Sequence, residues 1–241
     1  MTIQQSARAA IVTVHHVGHE REPVITVDHA TGMADALIDY AATRSRFAPA
    51  ASVGSGYPGL LGPAPTQYID RMVQQVLPLI TEHFGTGNVR PIRARGNFSL
   101  VTTDPADLAP SQCVPHVDAA DPLQFATVHY LCDPRHGGTG FFRHRATGFE
   151  TVDAERLARY QDRLDAEMTG IPSQYSARYP GTVDDHLFER IHACAAIPDR
   201  LILYRAALLH SGLIDSVAAD AADPRSGRLT GNLFLQCRQV A

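Results

Sequence analysis

The sequence predicts a mainly β protein of the α+β class, a sandwich or barrel of short strands supported by helices. From residue 91 onward, short runs rich in β-branched and aromatic residues alternate with turns rich in glycine and proline. Between about residues 31 and 85, two runs place apolar residues at helical spacing. Between about residues 152 and 197, further helical spacing interrupts the β pattern, which predicts a helical insertion.

The N-terminal part begins with two apolar runs, AIVTVHHV and PVITVDH, around the polar segment GHERE. This pattern predicts a hairpin or two neighbouring edge strands. TGMADALIDYAATRS and APTQYIDRMVQQVLPLITEHFG then predict two amphipathic helices that pack one face on a sheet. The segment between them, FAPAASVGSGYPGLLGPAP, predicts a loop, and Tyr57 within it could belong either to a lid or to a tight turn.

The predicted β core spans about residues 91–240. Its strands come from PIRARGNFSLVTT, FATVHYLCD, FFRHRATG, RLILYRAALLH and RLTGNLFLQCRQ. The predicted helices of the insertion are VDAERLARYQDRLDAEM and TVDDHLFERIHACAAI. We expect residues 1–241 to form one domain, because this length suits a single hydrophobic core.

Composition narrows the class of partner. A net charge of -4 with 19% charged residues gives no basic surface of the kind that binds nucleic acid, so we expect a small-molecule partner. No apolar run reaches the roughly 18 residues of a membrane span, and the N-terminus does not resemble a signal peptide, which predicts a soluble cytoplasmic protein. The four cysteines form no CxxC pair and are expected to be reduced thiols. The oligomeric state stays open, with a homodimer among the options.

The most informative motif is PHVD. In an extended segment His116 and Asp118 point to the same side, so they could bind one metal ion or simply form a polar turn. A third ligand is available in His210, at the end of the apolar run PDRLILYRAALLHSG. Two imidazoles and one carboxylate on one face of a metal leave open positions, as in non-haem Fe(II) oxygenases.

A second motif, GRLTGNLFL, supplies a candidate anion site. Arg228 and Thr230 are two residues apart on a predicted strand, so the guanidinium and the hydroxyl face the same side and could share one carboxylate. The planar guanidinium suits this task better than an ammonium group.

The order of PHVD, GGTGFFRH, RLILYRAALLHSG and GRLTGNLFL resembles the Fe(II)/2-oxoglutarate-dependent oxygenase superfamily, with its HxD, H and RxS/T pattern. The resemblance covers roughly residues 95–238. It implies a double-stranded β-helix (jelly-roll or cupin-like) core in which GGTG is a turn between core strands. It also implies that His116, Asp118 and His210 hold Fe(II), and that Arg228 with Thr230 binds the distal carboxylate of 2-oxoglutarate. Arg238 is the substitute anchor, because the step from His210 to Arg228 is long.

The resemblance further implies an activity. O2 and 2-oxoglutarate would be converted with release of succinate and CO2, while an unactivated C–H bond of a small molecule is hydroxylated. An amino acid or a natural-product intermediate is the expected substrate, and desaturation or ring closure stay open. Halogenation is disfavoured, because halogenating members lack the carboxylate ligand that Asp118 supplies here.

Further residues are candidates with ordinary structural alternatives. Tyr130 could bond the co-substrate or pack in the core. Arg143, His144 and Arg95 could contact substrate near the pocket mouth, where arginines hint at an acidic or amino-acid-like molecule. Otherwise they are solvated or packed residues.

Two other classes of function remain open. One is a different metal enzyme on a cupin-like barrel, either a zinc hydrolase or a dioxygenase that needs no co-substrate. The other is a non-catalytic binding barrel with a vestigial triad. Arg228 and Thr230 discriminate against the other metal enzyme, which has no need for them, and the binding barrel is the least favoured class because all three ligands are intact.

Overall fold

The computed structural model describes residues 9–169, 178–181 and 186–240. The helices are α1 (Ala34–Thr43), α2 (Thr66–His83) and α3 (Ala154–Thr169). The strands are β1 (Ile11–Val17), β2 (Glu22–Asp28), β3 (Ala48–Pro49), β4 (Gly59–Gly62), β5 (Val89–Val101), β6 (Gln124–Tyr130), β7 (Gly138–His144), β8 (Phe188–Cys194), β9 (Arg200–Arg205), β10 (His210–Leu213) and β11 (Leu229–Gln239).

The strands form two antiparallel sheets. The large sheet has the order β1-β2-β9-β6-β11-β5-β4-β3, and the small sheet has the order β10-β7-β8. A bridge between His116 and His210 adds a further position beside β10 in the small sheet. From β5 to β11 the chain passes repeatedly between the two sheets, which is the winding of a double-stranded β-helix. The predicted fold class is therefore confirmed.

The N-terminal prediction of a hairpin is confirmed by the pairing of β1 with β2, in which Ile11 lies opposite Asp28 and Val17 opposite Glu22. Its turn is held by Glu150, whose carboxylate accepts hydrogen bonds of 2.9 Å from the backbone N–H groups of His19 and Glu20. The hairpin extends the large sheet at one edge, next to β9.

Both predicted N-terminal helices are present, and α2 covers the outer face of the large sheet. Met72, Val76 and Ile80 recur at helical spacing and are fully buried in one cluster with Phe98 and Leu233 of the sheet. Each such buried side chain contributes about 1.5–3 kcal/mol of hydrophobic stabilisation. The apolar packing of the helices on the outer face leaves the space between the sheets for a ligand.

A glycine sets how closely α2 approaches the sheet. A Cβ atom at Gly231 would lie 2.1 Å from the hydroxyl oxygen of Tyr68. That hydroxyl contacts Nδ1 of buried His129 at 2.9 Å, and Nε2 of His129 lies 2.9 Å from a carboxylate oxygen of Asp199. Asp199 also accepts hydrogen bonds from the backbone of Thr31 at 3.0 Å and from its hydroxyl at 2.6 Å. This polar network joins α2, the centre of the large sheet and the segment before α1.

The predicted loop between α1 and α2 contains two short strands. β3 pairs with β4, and β4 pairs with residues 98–101 of β5, so the segment extends the large sheet at its far edge. Tyr57 lies just before β4 and faces the space between the sheets.

The predicted helical insertion at 152–197 is only partly correct. Helix α3 matches its first half, and residues 170–177 and 182–185 lie outside the described residues. The predicted helix over TVDDHLFERIHACAAI is wrong where the structure describes it, because Phe188–Cys194 is strand β8, paired with β7. Leu187 and Ile191 have helical spacing, but the ladder offered by β7 overrides this local pattern.

The GGTG segment is also more than a turn. Gly138 and Gly140 lie within β7. A Cβ atom at Gly138 would lie 1.9 Å from the carbonyl oxygen of Cys194, so this glycine permits a close approach between neighbouring strands.

No helix among the described residues has both the length and the apolar character needed to cross a membrane.

Candidate functional site

Backbone pairing places two histidines side by side. The N–H of His116 donates to the carbonyl of His210 at 3.0 Å, and the N–H of His210 donates back at 2.9 Å. Residues that exchange both hydrogen bonds lie directly opposite each other, so their side chains share one face. The N–H of Asp118 donates to the carbonyl of Ala206 at 2.9 Å. This bond fixes the backbone of Asp118, whose side chain projects to the same side as that of His116.

The three side chains converge. One ligand atom from each of His116, Asp118 and His210 lies within 4.8 Å of the others. Nε2 of His116 is 3.7 Å from Oδ1 of Asp118, and Nε2 of His210 is 3.4 Å from Oδ2. The predicted trio is thus brought together at the start of β10, beside the small sheet, with a spacing suited to one shared ion.

The hydrogen bonding of His210 prepares it as a ligand. Its Nδ1 lies 2.8 Å from the carbonyl oxygen of Leu208, so Nδ1 carries the proton and Nε2 has a free lone pair. Burial lowers the pKa of His210 to about 4, which keeps the imidazole neutral. Partial desolvation and then the neighbouring His210 lower the pKa of His116 in the same direction, and the outer part of this imidazole remains exposed.

Asp118 supplies the anionic member of the trio. Its Oδ2 is buried and has no hydrogen-bond partner among the described residues. A buried carboxylate oxygen without a partner is costly, and a cation between the three side chains would remove that cost. Burial raises the pKa of Asp118, and its interaction with the neighbouring His116 imidazole opposes the rise. The donor set fits a divalent metal that accepts imidazole and carboxylate ligands.

The trio lies at one side of a cavity of about 470 Å³ between the two sheets. Arg228 and Thr230 lie in the same cavity, as do Asn97, Asn232 and Tyr57. Such a volume is within the range of small-molecule sites, about 300–1,000 Å³. The predicted metal ligands and the predicted carboxylate anchor therefore share one space.

Arg228 is a buried cation without a counter-ion. Its side chain is 7% exposed, and no carboxylate pairs with it among the described residues. Its Nε donates to the carbonyl of His136 at 3.1 Å, and Nη2 donates to the carbonyl of Gly138 at 2.9 Å. These bonds hold the guanidinium in place but leave its charge uncompensated, and an uncompensated buried charge is expensive. An anionic ligand would supply the missing partner.

Thr230 belongs to a closed group of hydrogen bonds. Its hydroxyl is 2.7 Å from that of Ser99 and donates to Oδ1 of Asn232 at 3.2 Å, while Nδ2 of Asn232 donates to Ser99 at 2.8 Å. All three polar side chains are therefore already satisfied by one another.

Tyr57 is a better placed donor than the sequence indicated. Its hydroxyl is buried and has no hydrogen-bond partner among the described residues, although Arg228 and Ser99 lie near it. Burial raises the pKa of Tyr57, so the hydroxyl stays protonated and can donate a hydrogen bond to a ligand.

Sequence reasoning missed Ser99 and Asn232 as members of the site. A signal was present, because Asn232 follows Thr230 at the strand period of two. Ser99 could be found only from the register of β5 against β11, in which it lies opposite Thr230.

Tyr130 is placed in the core and does not line the cavity. Its hydroxyl is 2.6 Å from that of Thr139, and its ring lies below Arg228, with 5.9 Å between the guanidinium carbon and the ring centroid. Of the two alternatives for Tyr130, these contacts favour packing in the core, beneath the cation.

The three predicted substrate residues also do not line the cavity. Arg143 pairs with Glu150, its Nε donating at 2.7 Å, and with Glu189 at 3.0 Å. His144 is fully buried, with Nε2 2.8 Å from Glu167 of α3. Carboxylates on neighbouring segments therefore take these two side chains away from the substrate space.

Arg95 differs from these two. It is exposed on β5 opposite Phe234, and Phe234 lines the cavity. Arg95 thus lies at the rim and not in the cavity. Arg238, the substitute anchor, is exposed near the end of β11 opposite Arg90, far along the strand from the cavity.

Comparison with known proteins assigns the sequence to a protein family. A family model described as "Family of unknown function (DUF6445)" matches residues 8–235. The chain belongs to this family. No curated protein matches the sequence.

Several solved structures resemble this DUF6445 member at low identity. The non-heme alpha ketoglutarate dependent epimerase SnoN from nogalamycin biosynthesis is 13% identical with a TM-score of 0.49, covering 90% of this chain and 79% of that chain. HygX from Streptomyces hygroscopicus, with nickel and 2-oxoglutarate bound, is 11% identical with a TM-score of 0.48, covering 88% and 82%. A Pseudomonas putida prolyl-4-hydroxylase is 14% identical with a TM-score of 0.37, covering 86% and 100%. The function of the DUF6445 chain is therefore inferred from its own site.

Proposed function

We propose that this protein is an Fe(II)- and 2-oxoglutarate-dependent oxygenase that hydroxylates an unactivated C–H bond of a small molecule. The single observation that carries the proposal is the joint presence, in one cavity, of the His116, Asp118 and His210 trio and the unpaired buried guanidinium of Arg228. A metal site alone would fit a zinc hydrolase equally well. The additional buried cation favours a reaction with an anionic co-substrate.

In this proposal His116, Asp118 and His210 hold Fe(II) through Nε2, a carboxylate oxygen and Nε2. When bound with 2-oxoglutarate and O2, the iron supplies the oxidising chemistry that yields succinate, CO2 and a C–OH group in place of C–H. The chain's own task is to orient the reactants and to exclude water from them. His210 is oriented by the Leu208 carbonyl, and its ring packs at 4.7 Å, centroid to centroid, on the ring of Tyr204.

Arg228 would receive the distal carboxylate of 2-oxoglutarate. The carbonyls of His136 and Gly138 hold its Nε and Nη2, so the guanidinium is pre-oriented before the ligand enters. Tyr57 would add a second donor beside Arg228, and Thr230 could join only by exchanging its bond to Asn232. The preferred carboxylate anchor is thus the pair of Arg228 and Tyr57, with Thr230 in a supporting position.

The decisive experiment adds Fe(II) and then 2-oxoglutarate under anaerobic conditions and records the weak visible charge-transfer band of the chelate. We expect the band in the wild-type protein and in a His83→Ala control, whose altered histidine lies at the end of α2. We expect its loss in His116→Ala. Succinate formation after admission of O2 should follow the same pattern.

A well-folded wild-type protein without the band, and with succinate formation equal to that of His116→Ala, would refute the proposal. Metal binding without an effect of 2-oxoglutarate would favour the zinc hydrolase or the co-substrate-independent dioxygenase instead. The substrate class, an amino acid or a natural-product intermediate, is then tested by the increase in succinate formation that candidate molecules cause.

A further inference from the structure

The inner face of the large sheet continues beyond the cavity. Along β11 and β5, Asn232 lies opposite Asn97, Phe234 opposite Arg95, and Gln236 opposite Arg93. Asn232, Asn97 and Phe234 line the cavity, whereas Arg95 and Arg93 are exposed. We call Arg93 and Arg95 the rim arginines.

The rim arginines share a face with the cavity. Ser99 bonds Thr230 inside it and Asn97 lines it, and residues two and four positions before Asn97 on a strand project to the same side. Phe98 and Leu100, on the opposite face, are buried against the helices. Neither rim arginine forms an ion pair within the described part of the chain. Two exposed guanidinium groups therefore continue the sheet face that lines the cavity.

Once the metal and the co-substrate are bound, the described lining of the cavity offers no free charged side chain of lysine, arginine, aspartate or glutamate to a substrate. Among the described residues that line it, Arg228 is the one cation from lysine or arginine and Asp118 the one carboxylate. In the proposed function both are occupied, Arg228 by the co-substrate and Asp118 by the metal. The groups that remain are neutral hydrogen-bonding side chains, among them Asn97, Gln112 and Ser211. A charged substrate group inside the cavity would be buried without a partner, which is unfavourable.

From these two observations we infer that the substrate places an uncharged, hydrogen-bonding end in the cavity and an anionic group, a carboxylate or a phosphate, on Arg93 and Arg95. The inference rests on the proposed function, because that function occupies Arg228 and Asp118. It narrows the substrate class, since a free amino acid with both charges next to the reacting carbon does not fit.

The span of such a substrate follows from the sheet. Tyr204, Ala126, Phe234 and Arg95 form one row across four neighbouring strands. Strands lie about 4.8 Å apart, so the backbone positions at the two ends of the row are roughly 14 Å apart. The ring of Tyr204 packs on His210, so an anion at Arg95 lies at about this distance from the strand behind the metal trio.

Three probes of one shape test the inference. They are para-hydroxyphenylbutyrate, which is anionic at one end, its uncharged butyramide, and para-carboxyphenylbutyrate, which is anionic at both ends. Each is titrated by calorimetry into the full chain loaded with Mn(II) and 2-oxoglutarate. Two variants are compared with the wild type: the double variant Arg93→Gln/Arg95→Gln, and the control Arg71→Gln, which removes an exposed arginine from α2 on the outer side of the sheet.

In the wild type and in Arg71→Gln, we expect the hydroxyphenyl anion to bind about fivefold more tightly than its amide, because two partly solvated guanidinium groups add modest attraction. The double variant should bind both equally. The dianion should bind at least about tenfold more weakly than the hydroxyphenyl anion, since its second carboxylate has no partner inside. Four results would each overturn the inference. The amide binds as tightly as the anion, the preference for the anion survives in the double variant, the dianion binds more tightly than the hydroxyphenyl anion, or none of the probes binds.

A separate titration distinguishes failure of the proposed function from failure of this inference. A titration with 2-oxoglutarate alone shows whether the co-substrate binds at all, and repeating the three probes without it leaves Arg228 free. If 2-oxoglutarate does not bind, the proposed function fails. The part of the preference for the anion over the amide that is lost in Arg93→Gln/Arg95→Gln then reports on the rim arginines, and a part that survives reports on the free guanidinium of Arg228.

Discussion

Replacing Arg228 by glutamine removes the buried guanidinium of the cavity, and we expect the affinity for 2-oxoglutarate to fall about a hundredfold. In the structure Nε and Nη2 of Arg228 are held by the carbonyls of His136 and Gly138, while its charge has no carboxylate partner among the described residues. The guanidinium is therefore free to pair with a ligand carboxylate without a rearrangement of the chain.

The magnitude follows from the type of bond lost. A hydrogen bond to a charged group contributes about 1.5–3 kcal/mol, and a carboxylate held by Nη1 and Nη2 would lose about 3 kcal/mol when the guanidinium is absent. Each 1.4 kcal/mol corresponds to a factor of about ten in Kd. Arg228→Lys retains the charge but not the planar fork, so we expect a loss of about tenfold.

The assay is calorimetric titration of 2-oxoglutarate into the Mn(II)-loaded wild type, Arg228→Gln and Arg228→Lys. Thermal unfolding of each variant is recorded first, because a backbone carbonyl left without its donor costs about 1–3 kcal/mol of stability. Titrations are then made well below each Tm. A Kd for Arg228→Gln within threefold of the wild-type value would refute the assignment of the anchor, and with it the pre-orientation by His136 and Gly138.

Three further predictions concern ligand binding and stability. Tyr57→Phe should leave the Tm unchanged or raised, because the buried hydroxyl has no hydrogen-bond partner among the described residues, and should weaken 2-oxoglutarate binding about fivefold by calorimetry; unchanged binding would remove Tyr57 from the anchor. Burial alone would raise the pKa of Asp199, but hydrogen bonds from His129 and neighbouring groups lower it to about 2, so its stabilisation is present above about pH 4 and lost as the pH falls towards 2. Asp199→Asn should therefore cost about 2 kcal/mol of unfolding free energy at pH 7 and flatten the decline in acid, and a variant with the wild-type acid profile would contradict this. Glu150→Gln should cost about 2 kcal/mol in urea unfolding because it weakens the charge-assisted bonds to the hairpin turn and to Arg143, and an unchanged midpoint would show that neither contact needs the carboxylate.

Much of the candidate site follows from local rules. Alternation along an extended chain puts His116 with Asp118, and Arg228 with Thr230, on one side of their segments before any neighbour is known. The order of these motifs along the chain resembled one superfamily and, through it, predicted a wound barrel, and the strand order confirms that fold class. The same rules failed at Phe188–Cys194, where helical spacing on a short segment competed with an available strand ladder.

The arginines show where the sequence was insufficient. Arg143 and Arg95 both looked like candidates for substrate contact. Glu150 and Glu189 pair with Arg143, whereas Arg95 has no ion pair among the described residues and lies on the face that leads into the cavity. Which arginine remains available depends on where the chain places Glu150, in the loop after β7, and Glu189, in β8, and the sequence pattern around Arg143 and Arg95 does not show this.

The sequence by itself determined the chemical types of the site, two imidazoles, a carboxylate and a guanidinium, and the side on which each pair projects, because covalent geometry sets the strand period. Only the tertiary structure decided their spatial relations. It brought Tyr57 from the segment before β4 to a place beside Arg228 and placed Tyr130 beneath the cation. Within the described part of the chain, it left Oδ2 of Asp118 without a hydrogen-bond partner and the charge of Arg228 without a carboxylate. These relations depend on register and packing between strands distant in the chain, and such contacts have no local sequence signal.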